Sequence, residues 1–208
     1  MVHSFMIHTI LPGDLKILYA YHYSPCLVND NTSTSESADL KRAQLKRVQR
    51  QVALEVQSQF AFQSSVSGKS YEEDLQKISN EGAIPTLELG YHRLKNCVDD
   101  PRDVPDERSQ EKVVLWMAAL NCAFVMVMEP LENRMNAERV LKMLISQLHQ
   151  RCHVFLRPNE ISNKIDIIDF VLEQFMPSGT LLFMNHRVVR QFEKELEAKM
   201  KNLHLINA

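Results

Sequence analysis

Glycine is scarce in this chain, with five residues among 208. Phosphate-binding loops of nucleotide enzymes depend on closely spaced glycines, and neither GxxxxGK[ST] nor GxGxxG occurs here. An excess of basic charge is also missing, because the formal net charge is −2. A nucleic-acid-binding domain usually carries a clear positive balance. The sequence therefore argues against a glycine-rich phosphate loop, and its net charge gives no overall attraction to nucleic acid.

The cysteines lack the spacing of a metal site. Cys26, Cys97, Cys122 and Cys152 form no CxxC pair and have no zinc-finger rhythm. The first residues, MVHSFMIHTI, lack the basic segment and the small-residue cleavage site of a secretory signal. We therefore expect a cytoplasmic protein with reduced thiols and no cofactor.

Few side chains have a spacing that supports catalysis. His149 and His153 lie four residues apart beside Cys152, and histidines at this spacing on a helix can share a metal ion. No carboxylate lies near them in sequence, so a polar helix terminus is the favoured interpretation. Asp166 and Asp169 could form a carboxylate pair, although a solvated helix face is favoured. We predict that the chain is not an enzyme.

The longest apolar run, VVLWMAALNCAFVMVM, extends from Val113 to Met128 without a charge. A membrane-spanning helix needs about 20 such residues, and this run is shorter and contains Asn121. β-Branched and aromatic residues gather at both of its ends. We predict two strands joined at Leu120–Asn121, because Asn tolerates turn geometry. A buried helix and a membrane span remain alternatives.

The N-terminal residues predict a second hairpin. Val2–Leu11 and Leu15–Tyr23 are rich in apolar and aromatic residues, and the turn signal Pro12-Gly13-Asp14 separates them. His3 and His8 lie in the first of these strands, where we expect structural rather than catalytic histidines. A further strand is predicted at Thr86–Leu94.

Apolar residues at three- and four-residue steps predict helices elsewhere. The first predicted helix is Asp39–Ser64, and the others lie in the last eighty residues. Their apolar stripes are Leu45, Val48, Val52 and Val56; then Ala137, Val140, Leu141, Leu144 and Leu148; then Ile161, Ile165, Ile168, Leu172 and Phe175, between Pro158-Asn159 and Pro177; and finally Val189, Phe192 and Leu196.

Polar and proline-broken stretches predict loops between these elements. Asn29–Ser37 is polar, and Asp99–Glu107 is acidic and contains two prolines. We expect 24–38 and 65–110 to be loop-rich. The order of strand, strand, helix, strands and helices predicts one α+β domain over 1–208, in which helices cover an antiparallel sheet.

Five basic residues lie on the first half of the predicted Asp39–Ser64 helix. Such a group could contact anionic lipid, at about 1 kcal/mol per residue near a membrane, or nucleic acid. The favoured interpretation is a solvated helix face, or a face paired with an acidic neighbouring subunit. Few aromatic residues are interleaved, so no nucleic acid is expected as a partner. The five residues are Lys41, Arg42, Lys46, Arg47 and Arg50.

Three segments carry a resemblance to a known family. They are MVHSFMIHTI, VVLWMAALNCAFVMV and FMPSGTLLFMNHRVVRQFEKELEA. In these segments the sequence resembles the sigma subunits of the fifth adaptor protein complex. The resemblance implies a longin-like fold with a five-stranded antiparallel sheet flanked by α-helices. It also implies a structural subunit rather than an enzyme.

The resemblance further implies partners and a place of action. A sigma subunit of this kind would bind a zeta-type large subunit directly and form a heterotetramer with beta and medium subunits. Spatacsin and spastizin would associate through the complex. The protein would be peripheral on late endosome and lysosome membranes and act in retrieval of cargo toward the Golgi. A free-standing longin-type trafficking regulator is the alternative.

Other sigma subunits help to bind acidic dileucine motifs of cargo proteins. Their pocket is built from a strand hairpin and the following helix, which correspond here to Ala119–Phe124 and Ala137–Leu148. The resemblance therefore implies a set of candidate contacts with a cargo motif. They are Lys16, Leu120, Asn121, Cys122, Val140 and Leu144.

Overall fold

The computed structural model describes residues 1–23, 35–68, 71–81, 84–94 and 111–206. The strands in these ranges are β1 (Val2–Thr9), β2 (Ile17–His22), β3 (Glu88–Leu94), β4 (Lys112–Ala119) and β5 (Cys122–Met128). The α-helices are α1 (Ser35–Ser67), α2 (Tyr71–Glu81), α3 (Arg134–Cys152), α4 (Ile165–Phe175) and α5 (His186–Ile206). Short 3-10 helices lie at Pro158–Asn163 and Pro177–Gly179.

The five strands form one antiparallel sheet in the order β2-β1-β5-β4-β3. Ala119 pairs with Cys122 across the hairpin between β4 and β5, so the apolar run is two strands, as predicted. Helices flank the sheet, which confirms the α+β, longin-like arrangement. Among the helices of the described ranges, none is both long and apolar enough to span a membrane.

Both faces of the β4–β5 hairpin are buried. Leu115 and Phe124 belong to one apolar cluster, which also contains buried residues of α3 and α4. Val114 and Val125 belong to a second cluster, which contains Val52 of α1. Successive strand residues point to opposite faces, so a strand covered on both faces has no position for a charge. This arrangement explains the absence of charge from Val113 to Met128.

The turn between β4 and β5 lies where it was predicted, but a different residue adopts the left-handed backbone conformation. Leu120, rather than Asn121, has a positive φ, at 52°. A left-handed conformation costs an L-residue about 1–2 kcal/mol. The Leu120 side chain is buried, and burial of a leucine stabilises by a comparable amount. Tertiary packing has therefore outweighed the local preference of Asn.

The first predicted helix is present and longer than expected. Its apolar stripe faces the sheet: Val52 and Val56 are buried, and Val48 packs beside them. The predicted loop Asn29–Ser37 is wrong at its end, because α1 begins at Ser35. The rest of that loop and the predicted loop Asp99–Glu107 lie outside the described residues.

The expectation that 65–110 is loop-rich is wrong at α2, an 11-residue helix. Two apolar side chains attach α2 to the core: Ile78 is buried and Leu75 is partly buried. Two such residues in an acidic segment are too few for a sequence pattern to indicate a helix. Within the same stretch, β3 confirms the predicted strand at Thr86–Leu94, although it begins at Glu88.

The helix predicted between Pro158 and Pro177 is divided in two. Lys164 has non-helical backbone angles (φ −124°, ψ 24°), so a 3-10 helix ends before it and α4 begins after it. The break shifts the helical phase, and Ile165, predicted to face the core, is 43% exposed. Ile168 and Phe175 are buried, as predicted.

Candidate functional site

Most of the predicted cargo-contact residues are core residues. Leu120, Cys122, Val140 and Leu144 are at most 8% exposed and belong to one apolar cluster. A ligand could reach these four side chains only if the core opened. Each of them supports the packing of α3 against the sheet, and their contact with a cargo motif stays a prediction.

The Cys122 thiol is also unsuited to chemistry. Burial raises its pKa to about 12, so the nucleophilic thiolate does not form near neutral pH. Its sulfur donates to the carbonyl oxygen of Val154 at 3.5 Å. Burial likewise raises the pKa of the Cys152 thiol. Both thiols therefore have structural roles.

Lys16 and Asn121 both bond to the end of β1. The N–H of Thr9 donates to the carbonyl of Lys16 at 2.9 Å, and the N–H of Ile10 donates to the carbonyl of Asn121 at 3.1 Å. The two predicted residues therefore flank the end of β1. The Lys16 ammonium lies 2.9 Å from Asp14, in an exposed ion pair that contributes about 0–1 kcal/mol. Lys16 can exchange this partner for another carboxylate at little cost.

The first residue of α2 contacts this end of the sheet, a feature that the sequence did not indicate. The Tyr71 hydroxyl donates to Oδ1 of Asn121 at 3.2 Å. Ile78 of the same helix is buried in the cluster that contains Leu120. The hairpin turn is therefore partly covered by the chain itself. Any ligand at the turn would have to share the Asn121 side chain with Tyr71.

The two histidines considered for a metal ion form a helix terminus. His153 caps α3 in a left-handed conformation (φ 52°), and its N–H donates to the carbonyl of His149 at 2.9 Å. The rings lie edge to face with centroids 6.2 Å apart, and burial lowers the pKa of His149. Within the described ranges, no group of three His, Cys, Asp or Glu side chains is arranged to hold a metal ion.

Asp166 and Asp169 have different surroundings. Asp166 is exposed, as predicted for a solvated face, but Asp169 is half-buried and accepts a hydrogen bond from the Tyr19 hydroxyl. Burial and this bond raise the pKa of Tyr19. The prediction of a solvated face is therefore wrong for Asp169, which connects α4 to β2.

His8 and His3 differ in burial. His8 is fully buried, and its Nδ1 lies 2.8 Å from the carbonyl oxygen of Thr9. Its Nε2 has no partner among the described residues. Burial lowers the pKa of His8 to about 4. His3 is only partly buried, with its Nε2 3.8 Å from Glu129.

Acid is expected to destabilise the chain through His8. The pKa is about 4 in the folded chain and 6.5 when unfolded, so the unfolded state binds more protons between these values. The resulting loss in free energy of unfolding is about 2 kcal/mol at pH 5. Urea titrations at pH 7 and pH 5 measure the loss in free energy of unfolding between the two pH values. This loss should be about 2 kcal/mol smaller in His8→Leu than in the wild type. An identical loss in the variant and the wild type would contradict the role of His8.

A cavity of about 70 Å³ lies between α1 and the sheet. Its walls are largely apolar, and His3, His22 and Lys112 contribute polar groups. These groups already have partners. His22 Nε2 lies 2.8 Å from Nε2 of Gln49, and His3 Nε2 lies 3.8 Å from Glu129. Lys112 also interacts with another group of the chain. The cavity is therefore a packing space with satisfied polar side chains.

The predicted basic group lies on the outer side of α1. Arg42, Lys46, Arg47 and Arg50 are exposed, whereas the side chain of Lys41 lies outside the described residues. Arg42 and Arg47 have interactions within the chain. The exposed basic residues are therefore placed where a lipid headgroup or an acidic neighbour could meet them, and that contact stays a prediction.

Comparison with known proteins connects the whole fold to one family. The family described as AP-5 complex subunit sigma-1 matches residues 1–197. The chain is 27% identical to the Homo sapiens protein named AP-5 complex subunit sigma-1 over 208 residues, covering 95% of this chain and 98% of the relative. It is 28% identical to the Mus musculus protein of the same name over 150 residues, covering 69% and 84%. The family match includes all five strands and extends into α5.

Proposed function

Because the chain belongs to the AP-5 complex subunit sigma-1 family, we propose that it is the small subunit of a heterotetrameric adaptor that retrieves cargo from late endosomes and lysosomes toward the Golgi. The family match over residues 1–197 carries this proposal. The relative from Homo sapiens supports it, because the two chains align over nearly their full lengths.

A zeta-type large subunit is the proposed direct partner, with beta and medium subunits completing the heterotetramer. Spatacsin and spastizin would join through the assembled complex. Both faces of the sheet are covered by the chain's own helices, so partners would contact helix surfaces, loops and sheet edges. Permanent subunit interfaces commonly bury about 2,000 Å² or more, which a chain of this size can supply.

Membrane association would be peripheral and would come through the complex. The exposed basic residues of α1 are the candidate for a direct contribution to it. Lys46 and Arg50 lie one turn apart on this helix, so their charges reinforce one another at a negatively charged surface. A basic group of this size gives a salt-sensitive contact rather than a stable anchor.

Co-expression with the zeta-type large subunit should recover the chain in equal amounts with that subunit. Expression alone should give a poorly soluble chain, because a permanent interface left open exposes apolar surface. Affinity purification followed by gel filtration measures both outcomes, with the large subunit of another adaptor complex as the control. A stable, monodisperse monomer that does not bind the large subunit would contradict the proposal and favour a free-standing regulator.

A further inference from the structure

The most exposed large apolar side chains of the described residues gather near the start of α3. Leu131 is 98% exposed, Phe183 82% and Met135 81%. Leu131 lies two residues before Asn133, the residue that caps α3, and Met135 lies in the first turn. Together with Arg139, these three residues are called the α3 patch. A group of large apolar side chains with this exposure marks a candidate interaction surface in a folded protein.

Rigid elements hold the α3 patch together. Met135 and Arg139 are neighbours on successive turns of α3. The guanidinium carbon of Arg139 lies 5.7 Å from the centroid of the Phe183 ring, within the range of a cation–π interaction. Asn136 donates to the carbonyl of Leu181 at 3.4 Å, which ties the Phe183 segment to the helix.

Burial next to Phe183 shows that its exposure is not the result of a loose segment. Met184, the next residue, is 5% exposed and belongs to the core. Leu181 and Leu182, on the other side, pack against the same core. Phe183 is therefore presented to the outside by a segment that is anchored before and after it. An aromatic side chain in such a position has little conformational freedom to lose when it binds.

The exposed charges around the α3 patch are mainly positive. Arg134, Arg139 and Lys142 are exposed. Of the nearby carboxylates, Glu132 binds the N-terminal ammonium group, whereas Glu138 accepts from the neutral Tyr91 hydroxyl at 2.7 Å and keeps its charge. The three exposed cations outnumber that one carboxylate. A partner surface with carboxylates at its border and apolar side chains at its centre would complement this pattern.

We propose that the α3 patch binds an acidic, aliphatic surface on the large subunit of the adaptor complex, with Phe183 at the centre of the contact. This inference rests on the proposed function. A second copy of the chain fits less well, because a symmetric contact places each patch against itself. Arg139 and Lys142 would then face like charges.

The test compares two exposed phenylalanines on opposite sides of the sheet. Phe183→Ser should weaken binding of the zeta-type subunit to the immobilised full-length chain about thirtyfold, the effect of an interface hot spot. Phe62→Ser is the matched control, because Phe62 is 70% exposed on α1. It should bind like the wild type. Both variants should keep the wild-type melting temperature, since neither phenylalanine supports the core.

The charge of the partner has its own test. Arg139→Glu should weaken binding at least tenfold, and binding by the wild type should weaken as salt is raised, because opposite charges are screened. Arg157→Glu, an exposed basic residue beyond the opposite end of α3, is the matched control and should change little. Unchanged or tighter binding by Arg139→Glu would overturn the acidic nature of the partner surface.

The outcomes separate the two proposals. A wild-type chain that does not bind the large subunit overturns both the proposed function and the patch. Equal binding by wild type and Phe183→Ser overturns the patch alone. Two further results would also overturn the choice of partner. One is a wild-type dimer in sedimentation that Phe183→Ser disperses, and the other is flotation with phosphatidylserine vesicles that Phe183→Ser abolishes.

Discussion

Replacing Gly90 by alanine is expected to lower the free energy of unfolding by about 3 kcal/mol, near the upper end of the cost of overpacking a core. Gly90 pairs with Trp116 across β3 and β4. A Cβ at Gly90 would lie under 3.0 Å from three indole atoms, including Nε1 at 2.6 Å. Trp116 is fully buried and donates through Nε1 to Gln59 at 2.8 Å. The ring therefore cannot move aside without losing packing and this bond.

Urea unfolding of Gly90→Ala measures the effect directly. The same substitution in a Trp116→Leu background tests its cause, because leucine lacks the ring atoms that the new methyl group would meet. The cost of Gly90→Ala should fall by more than half in that background, although Trp116→Leu is itself destabilising. Equal costs in the two backgrounds would show that the indole is not the obstacle.

Gly179→Ala is expected to destabilise the chain by about 4 kcal/mol, for two additive reasons. Gly179 has a positive φ of 74°, which costs alanine about 1–2 kcal/mol. Its new Cβ would also lie under 3.0 Å from the Val2 carbonyl oxygen and 2.9 Å from Tyr23. Val2 pairs with Met128 at the end of β1, so its backbone cannot shift freely. Overpacking of this kind adds about 1–3 kcal/mol.

Gly13→Ala is the matched control for the backbone contribution. Gly13 has a φ of 81°, but a Cβ there would have nothing within 4 Å. Its replacement should cost about 1–2 kcal/mol through backbone strain alone. Thermal or urea unfolding of both variants separates strain from contact. If the two substitutions lower the free energy of unfolding equally, the close approach of Gly179 to β1 adds nothing to the loss.

Gly179→Ala should also weaken partner binding, because Gly179 lies just before the segment that presents Phe183.

The central hairpin could be predicted because its signal is carried by composition. From Val113 to Met128 no charge appears, and β-branched residues gather around a short centre containing Asn121. The residue that takes the left-handed turn could not be predicted, because local preference favours Asn121. The burial of Leu120 against helices distant in sequence decided the geometry. Periodicity therefore indicated the strands, whereas tertiary packing set the turn.

The candidate site was less predictable than the fold. Lys16 and Asn121 flank the end of β1, but the other four predicted contacts are buried. Their burial depends on how α3 packs against the sheet, which no local pattern reports. The exposure of Phe183 could not be found either, because in the string SGTLLFMN it looks like its buried neighbour Met184. The neighbouring residues that pack against the core decide which apolar residue of such a segment faces outward.

The sheet order has a consequence for the biosynthesis of the chain. β1 lies between β2 and β5, and Val2 pairs with Met128. During translation, the first hairpin emerges long before its central neighbour exists, and an isolated two-stranded hairpin is at best marginally stable in water. Phe5 and Ile7 therefore lack their neighbouring strand until β5 has left the ribosome, and they lack their helical cover until α3 and α4 follow. We therefore expect protection of the earliest strands to aid folding while the middle of the protein is still being made.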